Sequence, residues 1–267
     1  MRSRGTSRQA APWFLVIPGF LGLALLVLPL VGLAKDVPWS GLWRIWTDPA
    51  ALTALRISAE CATASMVIAG VLGVPLAWLL ARDVVPGTGV LRGLVLVPLL
   101  LPPVVSGVAL LSAFGRYGVV GGVLFDWFGI QVPFSTAAVI LAETFVAMPF
   151  FIITAEAGFR ALNRQYEQAA ATLGAGSWMT FRRITIPLMA PALIAGALLT
   201  WARALGEFGA TITFAGNFQG VTQTLPLDVY QLLESDRAAA AGLSLLTIAV
   251  CIVILIVLRG RFQRTAP

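Results

Sequence analysis

"QAAATLGAGSWMTFRRITIPL" (residues 168–188) lies between long apolar runs, yet it carries paired arginines, a tryptophan and two glycines. It is too polar to cross a bilayer and too patterned for a slack linker. The preceding and overlapping "QYEQAAATL" (165–173) consists of strong helix formers, and Gly174 suits the left-handed residue that ends a helix. "SWMTFRRI" (177–184) reads as a second short helix with Ser177 as its N-cap. Pro187 and Pro191 are expected to break the chain after it. The expectation is two short helices joined by a small-residue elbow, "GAG" at 174–176. Ala169, Ala170 and Ala175 keep the surface shallow, Trp178, Met179 and Phe181 offer large apolar side chains, and Arg182 and Arg183 rim them. That composition suits a protein-contact patch, and it equally suits an amphipathic helix resting on lipid.

The flanking runs set the class. Of 267 residues, 58% are hydrophobic and 11% charged, with mean hydropathy +0.90; a soluble domain is roughly 25% charged. An all-α polytopic membrane protein is therefore expected. Six apolar segments are long enough to span, near 13–34, 57–80, 93–113, 135–155, 191–214 and 238–258. The first follows Arg2, Arg4 and Arg8 like the start of a signal peptide. Its apolar run exceeds the roughly 7–15 residues of a signal core, so a retained helix is expected. The expected organisation is a tail at 1–12, a membrane domain at 13–258 with its long loop near 156–190, and a tail at 259–267, with no room for a separate soluble domain.

Positive charge orients the spans. Arg2, Arg4, Arg8, Arg82, Arg92, Arg160, Arg164, Arg182, Arg183, Arg259, Arg261 and Arg264 all fall on one side, 12 of the 18 basic residues. The opposite loops carry Asp36, Asp48, Asp126, Asp228, Glu234 and Asp236. Both termini and the 168–188 stretch are thus expected in the cytoplasm, in a plasma-membrane protein. The basic residues punctuate span ends and form no nucleic-acid patch.

Other absences narrow the function. There is no histidine, the only lysine is Lys35, and no G-x-x-x-x-G-K-[ST] phosphate loop exists. No Ser/Lys or paired-Asp arrangement crosses the spans, so an intramembrane enzyme is hard to assemble, and neither a catalytic nor a metal site is expected. Cys61 and Cys251 fall in apolar runs and read as packing residues.

Charges at mid-span are expensive and mark function or helix pairing. Arg203 and Glu207 stand i,i+4, on one face if the helix is continuous, and Glu143 lies at similar depth in the fourth run. Arg203 either attracts an anion in transit or is neutralised by Glu207 or Glu143 and locks helices together. The acids also suit an ion-coupled secondary transporter. Gly206 and Gly209 permit close helix approach, Thr211, Thr213 and Asn217 are polar candidates along a route, and the Pro102–Pro103 pair frees backbone groups that protein or water must satisfy.

Gln168, Ala169 and Ala170, then Gly174, then Ile184, Ile186 and Pro187, fall in the register E-A-A, three residues, Gly, nine residues, I-x-L-P. The motif's leading acid is Gln168 here, with Glu167 one residue earlier. The segment resembles the EAA loop of permease subunits of ABC importers. "LVPLLLPPVVSGVALLSAFGRYG" (96–118), "FSTAAVILAETFVAMPFFI" (134–152) and "WARALGEFGATITFAGN" (201–217) resemble the molybdate permease branch, with sulfate, thiosulfate and tungstate permeases as neighbours. The resemblance implies that Glu167, Gln168, Ala169, Ala170, Gly174, Ala175, Trp178, Phe181, Ile184 and Pro187 dock on a separate ATPase, present in two copies, which uses ATP and Mg. This chain itself would bind no cofactor. It implies a second permease copy, an extracytoplasmic molybdate-binding protein, and a gate drawn from Pro102, Pro103, Ser106, Gly107 and the fifth span.

Overall fold

The computed structural model describes the backbone of residues 13–265 and the side chains of residues 13–253. The tail at 1–12 with Arg2, Arg4 and Arg8, and the side chains of Arg259, Arg261 and Arg264, lie outside the described residues. Among those described, the regular structure is helical. In chain order it comprises α1 (Trp13–Asp36), α2 (Leu42–Trp46), α3 (Pro49–Arg82), α4 (Thr88–Leu100), α5 (Pro103–Phe114), α6 (Gly121–Phe128), α7 (Thr136–Ala161), α8 (Gln165–Thr172) and α9 (Ser177–Thr180). A π-helical turn (Phe181–Thr185) follows, then α10 (Ile186–Leu205), α11 (Gly209–Ala215), α12 (Leu225–Ser235) and α13 (Arg237–Thr265).

The helix α7 is the centre of the bundle, packed against α3, α10, α11 and α4. The reason is visible on α3, whose buried residues Ala54, Ser58, Cys61, Ala62, Ser65, Ala69, Gly73 and Ala77 recur every three or four positions. Such a small-residue seam lets apolar helices approach closely without a hydrophobic force between them. A Cβ on Gly73 would sit 2.7 Å from the Phe151 ring, and one on Gly158 would sit 2.6 Å from Ala192. By contrast α1 buries no residue, as expected of a helix facing lipid.

Among the described residues, four continuous helices are long and apolar enough to cross a membrane: α1, α3, α7 and the run Ser177–Leu205. The six expected runs are all helical, but two differ in form. The third is no single helix: α4 and α5 meet at a bend of 115°. Pro102 and Pro103 cause it. A residue before proline is pushed out of the helical region, and Leu101 accordingly has φ −69 and ψ 135. The fifth run ends at Leu205 rather than 214, and α11 restarts at Gly209 after a break. The sixth is α13, apolar from Arg237 to Val253.

The two broken runs pack on each other. A Cβ on Gly209 would stand 2.4 Å from the Pro103 Cβ, and one on Gly107 would stand 2.5 Å from the Thr213 Cβ. Gly209→Ala should therefore overpack the α5–α11 contact and destabilise the fold by about 1–3 kcal/mol, read as a lower thermal midpoint of the detergent-solubilised protein; an unchanged midpoint would contradict this packing.

Candidate coupling surface and transport pathway

The loop after α7 folds as two helical pieces, with Gly174 at the elbow as expected. Its φ is +84, and Gly174 N–H donates to the Ala171 carbonyl and Ala175 N–H to the Ala170 carbonyl, both at 3.0 Å. These two bonds form a Schellman closure of α8. Two details differ from expectation. Gly176, not Ser177, occupies the N-cap of α9, and no side chain caps it. Pro187 and Pro191 do not break the chain: α9 runs through the π turn into α10 as one helix, Ser177–Leu205. The wider π register lies immediately before Pro187, where a proline ring would crowd the preceding turn and its missing N–H would leave a carbonyl open.

Exposure sorts the loop's side chains. Gln168, Ala169, Gly174, Trp178 and Pro187 are exposed, Ala175, Phe181 and Ile184 are half-buried, and Ala170 is buried. Trp178 stacks on Phe181 with centroids 6.3 Å apart. Leu173, absent from the expected set, is 88% exposed, a further large apolar side chain left uncovered along with Trp178 and Met179.

Glu167 is the acid that anchors the loop. Its Oε2 pairs with Arg82 at the end of α3, and its Oε1 accepts from Thr185 Oγ1 at 2.7 Å. One carboxylate thus ties α3, α8 and the π turn together, above a cavity of about 220 Å³ bounded partly by Trp78 and Thr180. Arg82 was read from sequence only as an orienting charge and Thr185 not at all; a charge at a span end carries no sign of its partner 85 residues away. Beside this knot, Arg92 donates to Glu156 and to Asp83, each at 2.7 Å, and Arg160 joins Glu156 at 3.0 Å. The Arg92 hydrogen bond, helped by Thr88, holds the Asp83 carboxyl below its ordinary value of 3.8.

The mid-span residues form three groups. Pro103 and Gly107 of α5 meet Gly209 and Thr213 of α11, with Ser106 buried between them in sequence and Pro102 just before α5. Ser106 and Thr211 are 1% and 0% exposed, and their hydroxyls find no partner among the described residues. Second, Glu143 is 1% exposed, with Ser65 Oγ 3.2 Å from its Oε2. Third, Arg203 pairs with Glu207, not Glu143, at 2.7 Å. Glu207 does not lie on the same helix as Arg203, as the spacing suggested. It sits in the break, where its Oε1 accepts from Ala210 N–H at 2.9 Å. A single buried carboxylate therefore bridges the last turn of α10 and the first turn of α11. Gly206 is exposed beside this break, at a groove of about 440 Å³ formed with Phe208, Tyr230 and Ser244. Asn217 lies apart and donates to Gln231 at 3.2 Å. The Phe208–Tyr230 ring contact, 5.1 Å between centroids, had no legible sequence signal.

Among the described residues, the chain is a helical bundle with two interrupted runs and a helix–glycine–helix loop, and its class follows from its relatives as a permease of the binding-protein-dependent import type. Residues 73–265 match the family described as binding-protein-dependent transport system inner membrane component, and the chain belongs to it. It is 46% identical over 245 residues, 92% of each chain, to a protein named molybdenum transport system permease protein ModB in Mycobacterium tuberculosis (strain ATCC 25618 / H37Rv). The ModB of Escherichia coli (strain K12) is 40% identical over 80% of this chain and 93% of that one. The sulfate transport system permease protein CysT of the same strain is 34% identical over 93% and 95%. Among solved structures, a bacterial ABC transporter involved in the import of the acidic polysaccharide alginate matches with TM-score 0.75 and 17% identity, covering 96% of both chains, a likeness of fold.

Two predictions test the loop's anchoring. Glu167→Ala should loosen residues 165–185 by about 1.5–3 kcal/mol, the scale of hydrogen bonds to a charged group, seen as faster amide exchange there than in α7; unchanged protection would refute the anchor. For Asp83, the lowered carboxyl means its contribution is complete above 3.8 and lost as pH falls through the depressed value. The difference in thermal midpoint between wild type and Asp83→Asn should accordingly be constant near neutrality and vanish in strong acid.

Proposed function

We propose that this chain is the membrane-spanning subunit of an ATP-driven molybdate importer, driven by a separate ATPase through residues 167–187. The observation that carries the substrate is the gradient of identity, 46% to a molybdenum permease against 34% to a sulfate permease, both over more than nine-tenths of this chain. Sulfate or thiosulfate is the second reading, with tungstate beside it; all are small divalent oxyanions. An ion-coupled secondary transporter fits the family less well.

The subunit works as one of two copies, with two ATPase subunits below and an extracytoplasmic molybdate-binding protein above, in the plasma membrane with both termini cytoplasmic. The binding-protein partner is supported by the alginate transporter solved in complex with a periplasmic protein, TM-score 0.74. ATP and Mg belong to the ATPase. Leu173, Trp178 and Met179 form the contact knob, and Gly174 sets its angle. The helix carrying Trp178 is continuous to Leu205, so at about 1.5 Å per residue it is a lever of roughly 40 Å ending at the Glu207 bridge. Displacing the knob shifts the α10–α11 break and the α5 helix packed on α11, with nucleotide state selecting between inward and outward forms by differential affinity. In this scheme Arg203 holds helices and does not bind substrate, since its charge is met by Glu207. An exit route should bind its cargo weakly in any case.

The test is uptake of radiolabelled molybdate into vesicles containing this chain, with and without its ATPase and binding protein. ATP-dependent uptake, blocked by tungstate more than by sulfate, is expected. Gly174→Asp should insert normally yet lower ATP-driven uptake roughly 5- to 150-fold, the span of one allosteric coupling energy. Uptake driven by a proton gradient without ATP would overturn the reading.

A further inference from the structure

Glu143 stands on α7 at the centre of the bundle, 1% exposed, and no cation pairs with it among the described residues. The elements packed on α7 offer none. Arg203 of α10 is taken by Glu207, and Arg92 of α4 by Glu156 and Asp83. Helices α5 and α11 carry no titratable side chain. The groups whose charge bears on Glu143 are the Cys61 thiol of α3 and the Glu207 carboxylate in the break. Its one hydrogen-bond partner is Ser65 of α3, which is fully buried. Ser65 Oγ lies 3.0 Å from the Ile140 carbonyl and 3.2 Å from Glu143 Oε2. A hydroxyl has one hydrogen to donate and lone pairs with which to accept, whereas a carbonyl and an ionised carboxylate can only accept. If Glu143 were ionised, two acceptors would compete for that single hydrogen, and one short oxygen–oxygen contact would hold no proton. A protonated carboxyl removes the conflict: it donates to Ser65 Oγ, and Ser65 donates to the Ile140 carbonyl.

We propose that Glu143 is a positioning residue that holds a proton, and that the chain from Glu143 through Ser65 to the Ile140 carbonyl locks α7 to α3 without placing a charge in the bundle. Small-residue packing brings the two helices close, and a polar link across the seam then fixes their register. The locked pair is the frame on which α10 packs, so it is the fixed part against which the Arg203–Glu207 break moves. An ionised carboxylate this deeply buried has no counter-charge and takes up a proton instead. A second negative charge facing Glu207 would also oppose an oxyanion passing through the subunit. That benefit of neutrality rests on the import reading above; the hydrogen-bonded chain stands without it. The proton is held and not transported, which separates Glu143 from the ion-coupling acid of a secondary transporter.

The experiment is infrared difference spectroscopy on the full chain in detergent at neutral pH, wild type against Glu143→Gln. The substitution should remove the C=O stretch of a protonated carboxyl and leave the ionised-carboxylate bands unchanged. Ser65→Ala, which deletes the acceptor, should shift that same stretch. Amide exchange along α7 supplies a second readout. Glu143→Gln, which keeps a donor of the same shape, should leave it unchanged, whereas Glu143→Leu should speed it about 2- to 12-fold, the worth of one neutral hydrogen bond. In vesicles with the ATPase and binding protein, Glu143→Gln should retain ATP-driven uptake. Loss of carboxylate bands in place of the carboxyl stretch would overturn the proposal. So would a Glu143→Gln protein with protected α7 and no uptake, since the charge itself would then be required. Should Glu143→Gln not fold, a carboxyl stretch unmoved by Ser65→Ala would overturn it. Failure of wild-type uptake would count against the import reading alone and leave the infrared result standing.

Discussion

Within an apolar bundle every backbone N–H and C=O must be satisfied by protein, since no water in the bilayer core will do it. This chain places prolines inside five of its longer helices, at Pro18 and Pro29, Pro75, Pro98, Pro149 and Pro191. These are absorbed within their helices, but the helical ladder is broken at two other places. At Pro102–Pro103 the chain turns through 115°, and at Gly206–Phe208 the fifth run stops and restarts. Each break exposes helix termini that need partners, and the rest of the inner bundle is arranged around supplying them.

Glu207 supplies one set. Its carboxylate lies where the open N–H groups of α11 begin, and Arg203 balances its charge from the last turn of α10. Anionic groups suit helix N-termini and cationic ones suit C-termini, so the pair is oriented to favour both ends of the break. A buried ion pair of this kind gives little net stability over an apolar one. What it gives is a fixed relation between two helix ends that the backbone alone leaves free. The glycines at 107 and 209 then let α5 lie directly on α11, so the two broken runs form one packed unit against α7.

Much of this was legible in the residues. Apolar length placed helix in each of the six expected runs, two of them broken, and Gly174 fixed the elbow because a left-handed C′ position strongly favours glycine, which has no Cβ. The errors share a cause. Arg203 and Glu207 were placed on one face because i,i+4 spacing assumes an unbroken helix, and Gly206 gave no clear sign that it was a stop. Pro187 read as a breaker because sequence does not reveal a π register that accommodates the ring. The Pro102–Pro103 pair reads as freeing backbone groups inside one span, with no sign of the bend; the bend angle depends on α11 offering a surface for α5 to lie on. The Arg82–Glu167–Thr185 knot joins residues from three elements, and nothing local in α3 points to it.

The contrast in stiffness along the chain follows from these same features. From Ser177 to Leu205 the backbone is one continuous helix, and its lower end is clamped to α3 by Glu167. Beyond Leu205 the path depends on side chains: one carboxylate, one guanidinium and a glycine-mediated contact. A force applied at Trp178 meets little compliance until it reaches Gly206. Strain would concentrate at the break, because a π turn inside a helix keeps its hydrogen-bonded ladder whereas a three-residue gap does not. The off-motif Gln168 fits this division of labour. At the exposed position that the motif gives to an acid stands Gln168, and the preceding Glu167, turned inward to Arg82, carries the carboxylate that ties α8 to α3.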